Sequence, residues 1–387
     1  MRILMIAPQC FFLPRGTPLS VLGRLRAISR EGHRVDLVTY PIGSDVQLPG
    51  LTIHRVRRLP GLRSVKIGPS WTKLVLDALV FLKVVALLRH DRYDLVHSHE
   101  EAAFFGAPLA RLFRTRHLYD MHSSLPQQLE NFEFSTFAPL LAAFRWCERR
   151  AIQGSHGVIA VYPQLAAHAR SIAPGRPAFL IENPDHLDGL TVAPADIEAL
   201  RRRHGLAGRR IVVYTGGFQP YQGIELLLQS AVLVVKELDD VAFLLVGGSD
   251  REVAAVRSRL AEHRLTSHVI LAGTTPVEEV PRYLAVADAL VSPRVKGTNT
   301  PLKIYSYLRS GVPIVATDLP THTQVLHPGV AVLAPPTPPG FAGGIVRALL
   351  DRDLRARLGQ NARRLAEAKY SYDTYLARTQ EALAAVA

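Results

Sequence analysis

The chain has 387 residues, 48% of them hydrophobic and 20% charged, with a formal net charge of +13. That length exceeds one ordinary domain and suits two, each burying its own core, and the composition excludes a disordered chain. Cys10 and Cys147, the only cysteines, stand in no metal-ligand or redox spacing, which excludes a disulfide framework and points to a reducing compartment.

The opening MRILMIAPQCFFLPRG reads as a buried first strand. Pro8, Gln9 and Pro14 interrupt its apolar run and no small-residue cleavage site follows, so a signal peptide is not expected. Next, Gly16 precedes Thr17 and Pro18 at the start of a helix, where the backbone can approach a diphosphate. Taken alone, a plain strand-to-helix turn explains that glycine equally well. The segment LSVLGRLRAISREG sets Leu19, Leu22, Leu25 and Ile28 on one helical face, and HRVDLVTYP and LTIHRV follow as strands.

Positive charge gathers early. Residues 1–182 hold 23 Lys/Arg against 13 Asp/Glu, a net of +10, with one dense cluster from His54 to Lys66. An anionic partner, such as a membrane surface, a nucleic acid or a phosphorylated acceptor, is one reading; helices solvated by Arg are the other. The apolar stretch LVLDALVFLKVVALLR carries Asp77 and Lys83 and falls short of the ~20 apolar residues of a membrane span. It reads as a core-packed helix, with a membrane-facing element from Trp71 to Leu88 as the alternative.

The strand DLVHSH sends His97 and His99 to one side, and Glu100 and Glu101 start the next helix. The histidines look like a metal pair, but no third ligand sits at a recognisable spacing, so acceptor contact or helix capping is preferred. In HLYDMHSSLPQQL, Asp120 and His122 share a side at a strand exit, followed by the helix-starting Ser123 and Ser124. A histidine there is a candidate for contact with a transition state or acceptor; the plainer reading is a hydrogen-bonded wall residue. GVIAVYP and FLIEN complete the first half, and residues 182–206 read as a linker.

The second half gives strands RRIVVYTGG, VAFLLVGG, HVILAG, ALVSP, PIVATD and VAVLAP, while APPTPPG reads as a surface loop. Gly216-Gly217, Gly247-Gly248 and Gly273 end three of them, and a helix is entered at Gln222-Gly223. Strand ends built on glycine admit a nucleotide close to the backbone. Between Arg294 and Asp318, a turn at Gly297–Pro301 opens a helix with Leu302, Tyr305 and Leu308 on one face, Lys303 in its first turn and Gly311 at its end. No acid lies between Arg294 and Gly311. Continuous Val/Ile/Leu strands alternating with helices predict two tandem doubly wound α/β domains, 1–184 and 185–370, then a final helix 371–387. Ligands would bind beyond the strand carboxyl ends, in a cleft between the domains.

Assembled, these residues resemble retaining glycosyltransferases of family 4, which have the GT-B fold of two Rossmann-like domains. The resemblance runs through PRGTPLSVLGRLRAISREGHRVDLVTY, YDLVHSHE, YDMHSSL, VVYTGGFQPYQGIELLL, LVSPRVKGTNTPLKIYSYLRSGVPIVATD and YSYDTYLARTQEAL. It implies metal-independent transfer from a nucleotide-diphosphate sugar with retention. The donor belongs to the second domain, the acceptor to the first, and the last helix crosses back. The chain departs from the family at three places. The paired glutamates fall on Thr298 and Ser306, the phosphate-binding Arg and Lys on Gly216 and Gln222, and the Asn-Gly on Asn183-Pro184. A variant subgroup with YQG and GTNTPLK shares the first two.

The resemblance then implies His122, Asp120 and Lys303 as catalytic, and His97, His99 and Glu100 as acceptor-binding. For the donor it implies Gly16 and Thr17 at the diphosphate, with Gly216, Gly217, Gln222 and Gly273 at the glycine turns. Arg294 and Lys303 would meet the phosphates, and Thr298, Asn299, Thr300, Leu302 and Ser306 the sugar and ribose. No metal and no cofactor beyond the donor is implied. The acceptor would be a cell-envelope, polysaccharide or lipid-linked glycan of a bacterium, met in the cytoplasm or on the inner membrane face. A catalytically silent nucleotide-sugar-binding or scaffolding protein is the alternative. A sugar epimerase lacks acid–base residues in the second half, and a nucleic-acid binder lacks any recognition motif.

Overall fold

The computed structural model describes residues 1–13, 16–65, 70–127, 138–185 and 191–387. The chain divides into two compact units, Met1–Pro184 with Asp373–Ala387, and Asp185–Tyr372.

In the first unit the strands are β1 (Arg2–Ala7), β2 (Arg34–Thr39), β3 (Leu51–Arg55), β4 (Leu95–His99), β5 (Arg116–Met121), β6 (Gly157–Ala160) and β7 (Ala178–Leu180). They form one seven-stranded sheet in the order β3-β2-β1-β4-β5-β6-β7, every ladder parallel. The described helices are α1 (Gly16–Arg30), α2 (Trp71–His90), α3 (Ala103–Leu112), α4 (Ala138–Gly154) and α5 (Pro163–Ile172). A helix Tyr372–Val386, numbered α14 below, ends the chain.

The second unit has β8 (Arg210–Thr215), β9 (Val241–Val246), β10 (Val269–Gly273), β11 (Ala289–Ser292), β12 (Ile314–Thr317) and β13 (Val332–Ala334), in the sheet order β10-β9-β8-β11-β12-β13, again all parallel. Its helices are α6 (Pro194–Arg203), α7 (Ile224–Glu237), α8 (Asp250–Glu262), α9 (Val280–Ala285), α10 (Lys303–Ser310), α11 (Pro320–Thr323), α12 (Pro338–Leu350) and α13 (Arg352–Lys369). Successive strand residues fall into separate apolar layers. Val213, Leu244 and Leu290 pack with Ile304 and Leu308 of α10, whereas Val212, Phe243, Leu245 and Val291 pack with Phe341 and Ile345 of α12. That two-sided burial is why these strands read as unbroken hydrophobic runs.

Two expectations need correction. The stretch expected to be a linker includes α6, because PADIEALRRR places Pro194 at the helix start, Asp196 in the first turn, Arg201–Arg203 in the last, and buries Leu200. APPTPPG is not all loop: Thr337 caps the Gly340 amide and Pro338 opens α12. The segment from Trp71 is partly core and partly exposed. Leu76, Val80, Val84 and Leu88 of α2 are buried, while Trp71 is 85% exposed and Leu74, Val75 and Leu82 also face solvent. Lys66, at the end of the basic cluster, lies outside the described residues. No helix among the described residues is long and apolar enough to cross a membrane.

Strand order reverses between β1 and β4 in one unit and between β8 and β11 in the other. Loops leaving adjacent strands diverge there, which opens a crevice at the strand carboxyl ends. In the second unit Gly223 enters α7 with φ +77°, and a Cβ would overlap the carbonyl oxygen of Pro293, just after β11. Gly223→Ala should therefore cost about 1 kcal/mol in backbone strain alone and more from the overlap. An unchanged urea midpoint would contradict this close approach.

Candidate functional site

The reversal in the second unit carries a group of strained and unsatisfied polar features. β8 ends at Thr215, whose amide donates to Tyr307 Oη at 2.9 Å, and the chain turns through Gly216 at φ +133°. Facing that turn is Lys303 at the head of α10. Its Nζ is buried, lacks any hydrogen-bond partner, and lies 3.7 Å from the centroid of the Tyr214 ring. Burial, with Arg294 adding to it, holds the Lys303 pKa well below that of a free lysine. Thr300 Oγ1 and Gln222 Oε1 are also buried without a hydrogen-bond partner. Buried polar atoms of this kind mark a site built for something to complete it.

Arg294 is a correction. Expected to meet phosphates, it is 4% exposed and braces its own loop instead. Its Nε donates to Lys296 O at 2.8 Å, Nη1 to Asn299 O at 3.0 Å and Nη2 to Asn299 Oδ1 at 2.8 Å, and its guanidinium lies over the Tyr221 ring. Thr321 Oγ1 donates to the same Asn299 carbonyl and Gln324 Nε2 to Thr298 O. Thr298 and Asn299 thus turn their backbone carbonyls into the protein. Gly217 accepts from Tyr214 Oη at 2.6 Å, and Gly273 closes β10 at φ +73°. Leu302 immediately precedes α10, half-buried. Ser306, one turn into α10, donates to Asp185 Oδ1 at 2.5 Å, and Arg309 Nε lies 3.6 Å from Asp185 Oδ2. Sequence reasoning missed Asp185, because a carboxylate reaching α10 from far away in the chain leaves no local spacing to read.

In the first unit, Gly16 opens α1 at φ +46° with empty space where a Cβ would be, and Thr17 is half-buried. The histidines form a stack behind the strand ends. Register sets His99 beside Asp120. His97 and His99 stack with centroids 4.8 Å apart, and His99 and His122 at 5.2 Å. Asp120 Oδ2 accepts from Arg24 Nε at 2.8 Å and lies 3.3 Å from His97 Nε2; His99 Nδ1 and His122 Nε2 are 2.9 Å apart. Arg24 also donates to Thr379 of α14 and lies over the Tyr375 ring. Burial, opposed by the Asp120 charge and aided by Arg24 and His97, holds His122 below the usual histidine range; Asp120 is held well below the usual carboxylate range by Arg24 and the histidines against the cost of burial.

This geometry corrects three assignments. His97 and His99 are fully buried and cannot touch an acceptor, and Asp120 is equally enclosed. They support His122, the outermost of the set at 7% exposed. His97, His99 and Asp120 do bring ligand atoms within 4.8 Å of one another. The set fits a metal ion poorly, since a guanidinium already occupies Asp120 and would repel a second cation. Glu100 is half-buried at φ +51° and accepts from Ser123 Oγ at 3.0 Å. Burial, and then Glu101, pushes its carboxyl up to about 8. Beside it Lys73 pairs with Glu101 at 2.9 Å, and Tyr40 donates to Asp77, whose carboxyl is pushed up to about 6 by burial and Glu101.

Comparison with known proteins agrees with this anatomy. Residues 16–183 match the glycosyl transferase 4-like domain and residues 196–365 the glycosyl transferases group 1 family. The chain is thus a glycosyltransferase of the GT-B type, carrying those two domains in that order. It is 27% identical to phosphatidyl-myo-inositol mannosyltransferase of Mycobacterium leprae over 92% of this chain and 88% of that one. With alpha-D-kanosaminyltransferase of Streptomyces kanamyceticus it shares 25% identity over 88% of this chain and 91% of that one. Among solved structures, sucrose-phosphate synthase of Thermosynechococcus elongatus superposes with a TM-score of 0.81 at 21% identity, covering 98% of this chain and 97% of that one. HepE of Anabaena, in complex with UDP and glucose, gives 0.78 at 19% identity over 99% of both chains.

Arg24→Met leaves Asp120 charged and buried, so it should cost about 3–5 kcal/mol in denaturant unfolding, and adding Asp120→Leu should recover much of that. A near-neutral single variant would remove the ion pair from its structural role. The Glu100 carboxyl keeps a proton in the folded state that it loses in the unfolded state above about 4.3. Its contribution is therefore full below that pH and lost as pH rises through about 8. Relative to Glu100→Gln, the native protein should lose stability steadily between those limits; a constant difference in unfolding midpoint would contradict the raised pKa.

Proposed function

We propose that the protein transfers a sugar from a nucleotide-diphosphate donor to a hydroxyl acceptor, without a metal and with retention at the anomeric carbon. One observation carries this reading: the buried Lys303 ammonium with no hydrogen-bond partner, set against the Gly216 turn at the β8/β11 reversal. A diphosphate there supplies the negative charge that the lysine lacks. As the bond from the anomeric carbon to the phosphate oxygen breaks, charge grows on that oxygen, and the Lys303 ammonium, its charged form favoured by the bound diphosphate, steadies it. The buried Thr300 hydroxyl adds a donor, and Arg294 contributes field rather than direct contact. The acceptor hydroxyl bonds to the anomeric carbon from the face that the diphosphate leaves, and its proton passes to the departing phosphate oxygen. Retention follows from that shared face.

The second unit binds the donor and the first unit the acceptor. His122, with one ring nitrogen tied to His99, presents the rest of its ring as a neutral hydrogen-bonding group. The relatives' names include transferases to phosphatidyl-myo-inositol and to 2-deoxystreptamine, so lipid-linked and soluble polyol acceptors are both within the class. The exposed Trp71, Leu74, Val75 and Leu82 on a strongly basic half favour a lipid-linked acceptor at an anionic membrane surface. The YQG and GTNTPLK segments support reading the chain as one of a variant subgroup of family 4.

A second reading, a silent nucleotide-sugar-binding protein, is favoured by Thr298 and Ser306 standing where the family has glutamates. A thermal-shift panel of nucleoside diphosphates and their sugars, followed by assay of diphosphate release, separates the two. Stabilisation with slow release is expected. Stabilisation without release, with lipid-linked and polyol acceptors supplied, would favour the silent protein, and no stabilisation by any donor would reject both. Lys303→Ala should weaken nucleoside diphosphate binding about tenfold or more, and unchanged affinity would remove that role. His122→Ala should lower turnover with donor affinity and melting temperature retained.

A further inference from the structure

We infer that α11 is the positioning element of the donor site, with Thr321 and Gln324 holding the far half of the Arg294–Thr300 loop in the orientation that meets the sugar. This rests on the reading of the second unit as a donor site and deepens it. The loop carries two sets of bonds with different consequences. Arg294 reaches Lys296 O, Asn299 O and Asn299 Oδ1, so both ends of those bonds travel with the loop and fix its shape, not its placement. Ties to the scaffold come from other elements. At the start of the loop, Val295 N donates to Tyr221 O at 3.0 Å and Thr317 Oγ1 to Arg294 O at 2.6 Å. Farther along, Gln324 Nε2 donates to Thr298 O at 2.6 Å and Thr321 Oγ1 to Asn299 O at 2.7 Å.

The short helix is itself anchored to the sheet. His322, between the two donors, is fully buried, with Nε2 2.8 Å from Ser292 Oγ at the end of β11 and Nδ1 3.0 Å from both Thr317 oxygens at the end of β12. A trans peptide sets a carbonyl and the following N–H on opposite sides. Drawing the Thr298 and Asn299 carbonyls toward α11 therefore turns the Asn299 and Thr300 amides away from it, and neither donates to another backbone carbonyl among the described residues. The plainer explanation is that Thr321 merely satisfies a buried carbonyl. Asn299 O also accepts from Arg294 Nη1, so it would stay paired without Thr321, and what the hydroxyl adds is direction.

Lys303 stands on α10, outside the loop, and holds the diphosphate, so loss of the brace should be felt at the sugar. The test is calorimetric titration of the full chain with uridine, guanosine and adenosine diphosphates, each free and carrying glucose or mannose. Thr321→Val, which keeps the side-chain shape and removes the hydroxyl, should weaken nucleotide-sugar binding about tenfold. Free-diphosphate binding and the urea midpoint should stay unchanged. Thr321→Ser, which returns the hydroxyl, should restore the native values. Gln324→Glu, ionised and unable to donate to Thr298 O, should repeat the valine pattern, and it carries the test if the valine variant does not fold. Equal weakening of both ligands, no change in either, or a serine variant that behaves like valine overturns the inference and leaves the donor reading standing. A native protein that binds neither the diphosphates nor their sugars overturns that reading and the inference with it.

Discussion

Every ladder in both sheets is parallel, and this constraint orders everything else. A parallel strand cannot return by a hairpin, so each must be followed by a crossover that covers a sheet face. All strand carboxyl ends in a sheet then lie along one edge, and where the crossovers change direction no connection fills the gap. The second unit puts Gly216, Gly223, Arg294 and the head of α10 around that gap. It also buries a lysine ammonium there with an aromatic face as its neighbour and no hydrogen bond. A cation over a ring recovers part of the cost of leaving water but not all of it. The apolar layers on both sides of the sheet carry that deficit, so the site is strained locally on a scaffold that is stable elsewhere.

The first unit solves a different problem at its own reversal. Three imidazoles and a carboxylate occupy neighbouring strand ends, all of them buried. Asp120 stays ionised because Arg24 lies against it, and Arg24 is held by Thr379 and Tyr375 of the terminal helix. The electrostatics at β4 and β5 therefore depend on residues at the far end of the chain. With Asp120 fixed, His97 has one ring nitrogen committed, and His99 and His122 share a single proton between them. Such a stack presents one histidine to the outside in a defined orientation, which a lone His122 on a strand end could not keep.

Regular elements were legible because their signal is local. All thirteen segments that read as strands are strands, since continuous Val/Ile/Leu runs between glycine or proline turns have few other uses. The glycine-terminated strand ends and the helix from Lys303 to Gly311 were legible for the same reason. What escaped was commitment. Arg294 looked like a phosphate ligand because sequence shows its charge and not the three carbonyl oxygens that occupy it. His97 and His99 looked available because alternation gives the side of a sheet and not the depth of what covers it. The helix α6 was hidden by a Pro- and Asp-rich start that resembles a linker until its Arg-rich end is read as a helix terminus.

The missing acids of the α10 loop are the clearest case of that limit. Counted along the chain, the loop has lost its carboxylates; counted in space, one stands beside Ser306, delivered from 121 residues away. Serine at this position is short, and the Asp185 carboxylate accepts the proton that its hydroxyl offers. The helix then needs no acid of its own to present negative charge at its second turn. It gains a charge that depends on the start of the second unit being seated, since Asp185 is its first residue. A motif judged only by which residue types stand at fixed spacing scores this arrangement as a loss. Judged by what stands beside it in space, the helix has a carboxylate at its second turn and the buried Lys303 ammonium on the turn before.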